Sequence, residues 1–448
     1  MMLKAKKRFL TNCFSDIRIL NQVILNMKKF FVPLFLFVSI TSFSQNLSFE
    51  AKGIIAISDA DMAASAFADG KLYKEKGAKD AFTTIKLPLE KSYDEVKSAI
   101  VSNSAANHTK AMVVSNTHHL AYVVDTRGMV ADNVSELTNL NRELPAGGFI
   151  TVVDIADIAH PKVLYKFPTG KNPIGIDISP KGEYLVLCTE EEGKELQVLE
   201  LDPAGKPIRI IHRPQNLPAG KISDVSWHPN DNFIAFTFDE TKEVGLLKTT
   251  RDGPTNKIIR LELQGKPVKI GTSPGAGQFT PDGKFYIIPD LKQGEEGTDG
   301  EIFVIKFNLD GASDHSPLSR IKVGQNPEGF AISPDGSLIV VANIKKTYYA
   351  WESADLTRKA SLSLLRLTPD GSLLPHGEYE FEGILPKSLS FDQSGKNLAV
   401  SVYDYFSYGK HFGGVEFWKV TQGDKPSLQK QDFKLFLPRG CHSIRVIK

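Results

Sequence analysis

NPEGFAISPDGSLIVVAN, residues Asn326–Asn343, reads as a whole β-hairpin: a Pro-x-Gly lead-in, an alternating strand, a Ser-Pro-Asp-Gly turn and an apolar strand. Phe330 and Ile332, then Leu338 and Val340, recur at every second position, the period of a strand with one face in a core. Asp335-Gly336 offers the positive φ that a tight hairpin requires. The phrase returns as NPIGIDISPKGEYLVLC at Asn172–Cys188 and PGAGQFTPDGKFYIIP at Pro274–Pro289. Looser copies are KISDVSWHPNDNFIAFTF at Lys221–Phe238 and LPKSLSFDQSGKNLAVSV at Leu385–Val402. A unit repeated about every 50 residues cannot bury its own faces, so the copies must stack on one another.

A third strand follows most hairpins, at Leu196–Leu201, Ile302–Phe307, Leu362–Leu367 and Val415–Val420. A fourth is legible at Val163–Phe167, Ile208–Ile211, Leu318–Val323 and Phe433–Phe436. Four antiparallel strands, lettered A to D in chain order, make a propeller blade. Register marks at Asn116, Pro180, Pro229, Pro281, Pro334 and Gln393 give six complete copies. The chain ends on a lone strand A, Cys441–Ile447, while Gly53–Asp59 and Phe82–Leu87 read as strands B and C lacking their A. The expected fold is all-β: a closed seven-bladed β-propeller whose last blade is built from both termini, leaving no open sheet edge. Two assignments stay open: whether Val244–Lys248 or Ile258–Leu263 is strand C, and whether Tyr93–Ile100 is a short helix or the outer strand of the closing blade.

Met27-Lys28-Lys29, the apolar run Phe30–Val38 and the small-residue tail before Gln45 have the layout of a secretory signal, too short to span a bilayer. Residues 1–44 are therefore read as a leader and signal, and 45–448 as a single propeller domain, exported to the periplasm or beyond, with no membrane span after cleavage. The leader holds 7 of the 54 Lys and Arg and 1 of the 52 Asp and Glu, leaving 47 basic against 51 acidic residues. A mildly acidic body with no basic stripe excludes nucleic acid as a partner. Cys188 and Cys441 fall two blades apart and read as free buried thiols.

The Pro-x-Gly, Ser-Pro-Asp-Gly and Val-Ala-Asn elements of Asn326–Asn343 resemble the YVTN-type repeat of bacterial surface and periplasmic propellers. The whole ring, Gly53–Lys448, is similar to the seven-bladed lactonase-like superfamily. That resemblance implies the propeller fold and leaves activity open, because the superfamily includes lactonases, cofactor-binding domains and propellers without known catalysis. HPND at His228–Asp231 and GCHSI at Gly440–Ile444 only faintly echo a sugar-lactonase cluster.

Projected onto the face where D–A and B–C connections converge, the repeats make two circles of residues. The first, at the mouth of the central channel, reads Lys110, Ile174, Ser223, Gly275, Glu328, Lys387 and His442. Its four ionisable members do not repeat, as a ligand-directed set would not. The second, at the ends of the B strands, reads Asp59, Asp125, Glu190, Asp239, Asp290, Asn343 and Asp404. Such carboxylates either gather around a divalent cation such as Ca²⁺, the metal set then being Asp59, Asp125, Asp239, Asp290 and Asp404, or each caps its own turn.

Long B–C loops at Asp59–Asp80, Thr126–Gly148, Lys345–Ala360 and Tyr403–Gly413 wall one side of the channel. Two carry aromatics suited to a protein surface, a saccharide or another small molecule, or else folded back to seal the disc: Tyr348, Tyr349 and Trp351, then Tyr403, Tyr405, Tyr408 and His411. No nucleophile, haem or phosphate-loop motif is present. The leading expectation is ligand or partner binding through this face without catalysis. The alternative is a lactonase-type hydrolase, with His442 as general base, Lys387 and Lys110 steadying an oxyanion, and Glu328 or the acidic circle holding a cation.

Overall fold

The computed structural model describes residues 47–74, 77–89, 95–104, 110–215, 217–295, 297–406 and 411–448. The leader lies outside them. One compact unit spans Asn46–Lys448. It is an all-β propeller of seven four-stranded antiparallel blades. None of its helices is long and apolar enough to cross a membrane.

Each hairpin is fixed by the side chains its turn supplies. Ser333 Oγ donates to Asp335 Oδ1 at 2.5 Å and accepts from Leu338 N at 2.9 Å, so the hydroxyl and carboxylate bridge the turn that Gly336 closes at φ 75°. Thr280, Asp282 and Phe285 repeat the arrangement around Gly283 at φ 72°. In the first full blade the strands run Met112–Ser115, Leu120–Val124, Phe149–Asp154 and Lys162–Pro168, in that spatial order. Glu243–Arg251 is strand C and Ile258–Lys269 strand D of its blade, which settles the first open assignment. Burial follows position in the blade: Tyr184–Thr189 is buried throughout, whereas the outer strand Lys162–Pro168 is largely exposed.

The closing blade runs Cys441–Ile447, Gly53–Ser58, Ala81–Lys86 and Val96–Ile100 from inside to outside, so the doubtful stretch ends in an outer strand. Ile54 pairs with Val446 and Ala56 with Ile444, joining the two ends of the domain in one sheet. Gly440 makes the turn into the last strand at φ 88°, where an added Cβ would lie 1.9 Å from the Asp59 carbonyl oxygen. Only glycine combines that dihedral with so close an approach. Cys188 and Cys441 are free and buried, and burial pushes both thiols up, Cys441 to about 12.

Candidate ligand-binding site

The long loops do not stand apart as separate walls. They fold together into a roof with its own apolar core, formed by Met62, Leu72, Val130, Leu144, Leu385 and Tyr403 among others. Leu72–Tyr73 pairs with Glu136–Leu137, zipping the loop of the closing blade to that of the next. The roof lies over the channel mouth. Phe67, on the short helix Ala66–Asp69, sits 4.5 Å from Lys387 Nζ and packs edge-on against Tyr348 and Tyr403 at 6.3 and 6.1 Å between ring centres.

Beneath the roof the ionisable members of the first circle are held by other residues of the chain, although the buried Nδ1 of His442 has no partner among the described residues. Lys387 Nζ lies 2.6 Å from Glu328 Oε1, with the lysine side chain 1% exposed. Lys110 Nζ lies 3.1 Å from Asp224 Oδ1 and donates to the carbonyls of Val225 and Gly277. His442 is fully buried and its Nε2 is 2.7 Å from Asn103 Oδ1. Below them a channel cavity of about 350 Å³ is lined by Lys110, Asp177, Lys387 and Arg445.

Burial, reinforced by the Lys387 charge, holds His442 down at about 3 against an ordinary 6.5. The unfolded chain takes a proton near pH 6.5 that the fold refuses, so stability present above that pH is lost as pH falls towards about 3, at about 1.4 kcal/mol per pH unit. Asp80, raised by burial and by Asp59 and Asp61, has the opposite sign and favours the fold as it protonates. Comparing wild type with His442→Gln by chemical denaturation between pH 7.5 and 5 isolates the histidine. The variant is expected to lose much of the acid-side slope; parallel slopes would contradict the assignment.

The second circle is mostly engaged blade by blade. Glu190 accepts from Asn172 Nδ2 at 2.7 Å and pairs with Lys221. Asp239 pairs with Lys242, and Asp290 accepts from the backbone of Thr272 and Ser273 and pairs with Lys292. Asn343 donates to Ser361 and Ser363, and Asp125 accepts from Ser102 while burial raises its carboxyl. Among the described residues, the one group of three carboxylates with oxygens within 4.8 Å of one another is Asp59, Asp61 and Asp80. Its two further members went unnoticed in the sequence because they lie inside a loop rather than at a repeating position. Lys74 approaches Asp61 at 3.9 Å, bringing a cation of the chain itself to that cluster.

At the edge of the roof is an open pocket of about 730 Å³. Three loops line it: Ala63, Asp69 and Tyr73 from the first, Tyr348, Tyr349 and Trp351 from the second, and Asp404, Tyr405, Phe406 and His411 from the third. Trp351 is 50% exposed. Its ring is covered by Arg358 at 4.5 Å and lies near Phe406. Tyr348 is pushed up to about 12 by burial and by neighbouring Tyr349 and Glu328. Asp404 accepts from Tyr405 N and lies 3.0 Å from His411 Nδ1. Tyr403 is not at the surface: its hydroxyl donates to the carbonyls of Asp59 and Met62. Tyr405 is buried against Phe436 and edges the pocket, while Tyr408 lies outside the described residues. Arg439, which no repeat pattern singled out, completes the lining.

No protein-family model and no curated protein matches the chain. Solved structures match it in fold. A Bacteroides uniformis protein carrying the provisional name 6-phosphogluconolactonase is 14% identical, with a TM-score of 0.57 over 88% of this chain and 100% of its own. The periplasmic gluconolactonase of Pseudomonas aeruginosa is 12% identical, with a TM-score of 0.57 over 88% and 99%. A hypothetical selenium-binding protein of Sulfolobus tokodaii is 9% identical, with a TM-score of 0.54 over 89% and 94%. The chain is thus similar in architecture to 6-phosphogluconolactonase-like propellers, at identities that speak of fold alone.

Proposed function

We propose that this propeller is an exported binding protein that holds a small ring-bearing molecule, such as a saccharide, in the pocket at the edge of its roof, without catalysis. One observation carries the reading: the long loops share a core, cover the channel mouth with Phe67, and leave an open aromatic-lined pocket beside it. Its volume lies within the range of about 300–1,000 Å³ usual for small-molecule sites. Aromatic faces are stacking platforms for rings, and the polar atoms of Asp404 and His411 offer orientation. The gluconolactonase names of the structural neighbours favour a hydrolase, but of the residues that would serve it here Glu328, Lys387 and His442 are buried beneath the roof and Lys110 is held by Asp224.

Trp227 and Trp418 are buried, so acrylamide quenching reads Trp351. A panel of saccharides and other ring compounds is expected to contain members that shield Trp351, with Tyr349→Ala weakening them roughly tenfold, the worth of about 1.4 kcal/mol. The opposite result is a Trp351 that none shields, together with lactone hydrolysis lost in Lys387→Met. Export is part of the reading, and the mature protein is expected to begin at Gln45 on N-terminal sequencing.

A further inference from the structure

We propose that the molecule held in this pocket carries a carboxylate on its ring-shaped body and that Arg439 receives it; this rests on the pocket reading above. Arg439 occupies the turn between Ser427–Pro438 and Cys441–Ile447, where the last complete blade hands over to the closing one. Gly440 fixes the backbone there by its left-handed dihedral and its contact with Asp59. The arginine is 7% exposed yet belongs to the pocket lining.

Its hydrogen bonding is incomplete. Nη2 donates to the Ala60 carbonyl at 2.9 Å, whereas Nε is buried with no acceptor, and no carboxylate forms an ion pair with the guanidinium among the described residues. Buried polar groups of native proteins are almost always satisfied, and a guanidinium most of all. The nearby acid of the pocket, Asp404, feels the Arg439 charge but makes no ion pair or hydrogen bond with it; its oxygens are engaged by Tyr405 N and His411, and burial raises its carboxyl. The other charged groups lining the pocket, Asp69 and Glu352, lie on exposed positions. A guanidinium is a planar fork that takes a carboxylate in two parallel hydrogen bonds, and this one has N–H groups left without an acceptor. Tyr348, Tyr349, Trp351 and Phe406 offer aromatic surface to the rest of the molecule. A cage of aromatics alone would suit a quaternary ammonium. The buried positive charge of Arg439 opposes that occupant.

Benzoate, benzyl alcohol, phenyl phosphate and benzyltrimethylammonium share a ring and differ in charge, so their shielding of Trp351 from acrylamide separates the possibilities. Benzoate is expected to act at a concentration at least tenfold below benzyl alcohol, and Arg439→Met to remove that difference. Arg439→Lys keeps the charge without the fork and is expected to restore only part of it. Circular dichroism checks the fold of both variants; if neither folds, the order of the four probes on the wild-type protein decides. Equal action of benzoate and benzyl alcohol overturns the inference and leaves the pocket reading standing. Tighter binding of the ammonium overturns it too, and tighter binding of phenyl phosphate overturns the choice of carboxylate. Benzoate that binds while leaving Trp351 open to acrylamide contradicts the pocket reading itself.

Discussion

A chain ending at Gly440 is expected not to fold. The deleted strand, Cys441–Ile447, is the innermost of the closing blade and hydrogen-bonds along the whole of Gly53–Ser58. Cys441, Ile444 and Ile447 are buried, and each aliphatic side chain of this kind contributes about 1.5–3 kcal/mol. Their loss, added to a row of unpaired backbone groups on the new inner edge, rivals the net stability of about 5–15 kcal/mol of a typical protein. Circular dichroism on heating is expected to show no cooperative transition, with the protein recovered mainly as aggregate. A cooperative melt at the wild-type temperature would mean that the ring closes without its last strand.

The second large effect is expected at the roofed channel mouth. Glu328→Ala leaves the Lys387 ammonium, 1% exposed and beside a buried imidazole, without its carboxylate 2.6 Å away. Breaking one partner of a buried pair costs about 3–5 kcal/mol, whereas replacing both by apolar groups of similar shape is often near neutral. Denaturant titration is therefore expected to show a severe loss for Glu328→Ala and substantial recovery in Glu328→Leu combined with Lys387→Met. Equal losses in single and double variants would show that the pair does not act as a unit. The same comparison bears on function: if the double variant still shields Trp351 with the same ligands, the channel mouth is structural and the pocket acts without it.

The repeat made the hairpins, the blade count and the meeting of the termini legible, because each depends on local alternation and on turns such as Asp335-Gly336. The roof was legible only as the alternative that the loops fold back to seal the disc, and its contacts were not. It depends on Leu72–Tyr73 finding Glu136–Leu137 and on Phe67 reaching Tyr348, contacts between loops of different blades with no shared period. The aromatic loops were visible as composition, yet whether each tyrosine faces inward was not: Tyr403 is a buried hydrogen-bond donor, and Tyr348 and Trp351 line the pocket. Arg439 was missed for a similar reason. Its position matters only because ring closure sets Asp59 and Ala60 beside it, although Gly440, standing where Asn172 and Asn326 open two of the other lead-ins, marks the place.

Hydrogen–deuterium exchange tests the closed ring and the roof it positions most directly. Amides of Gly53–Ser58 and Cys441–Ile447 are expected to exchange as slowly as those of Tyr184–Thr189, and Ala66–Asp69 to be protected with Lys345–Ala360. Fast exchange confined to the two terminal strands in an otherwise protected protein would contradict the account, since the pocket loops would then have no common frame.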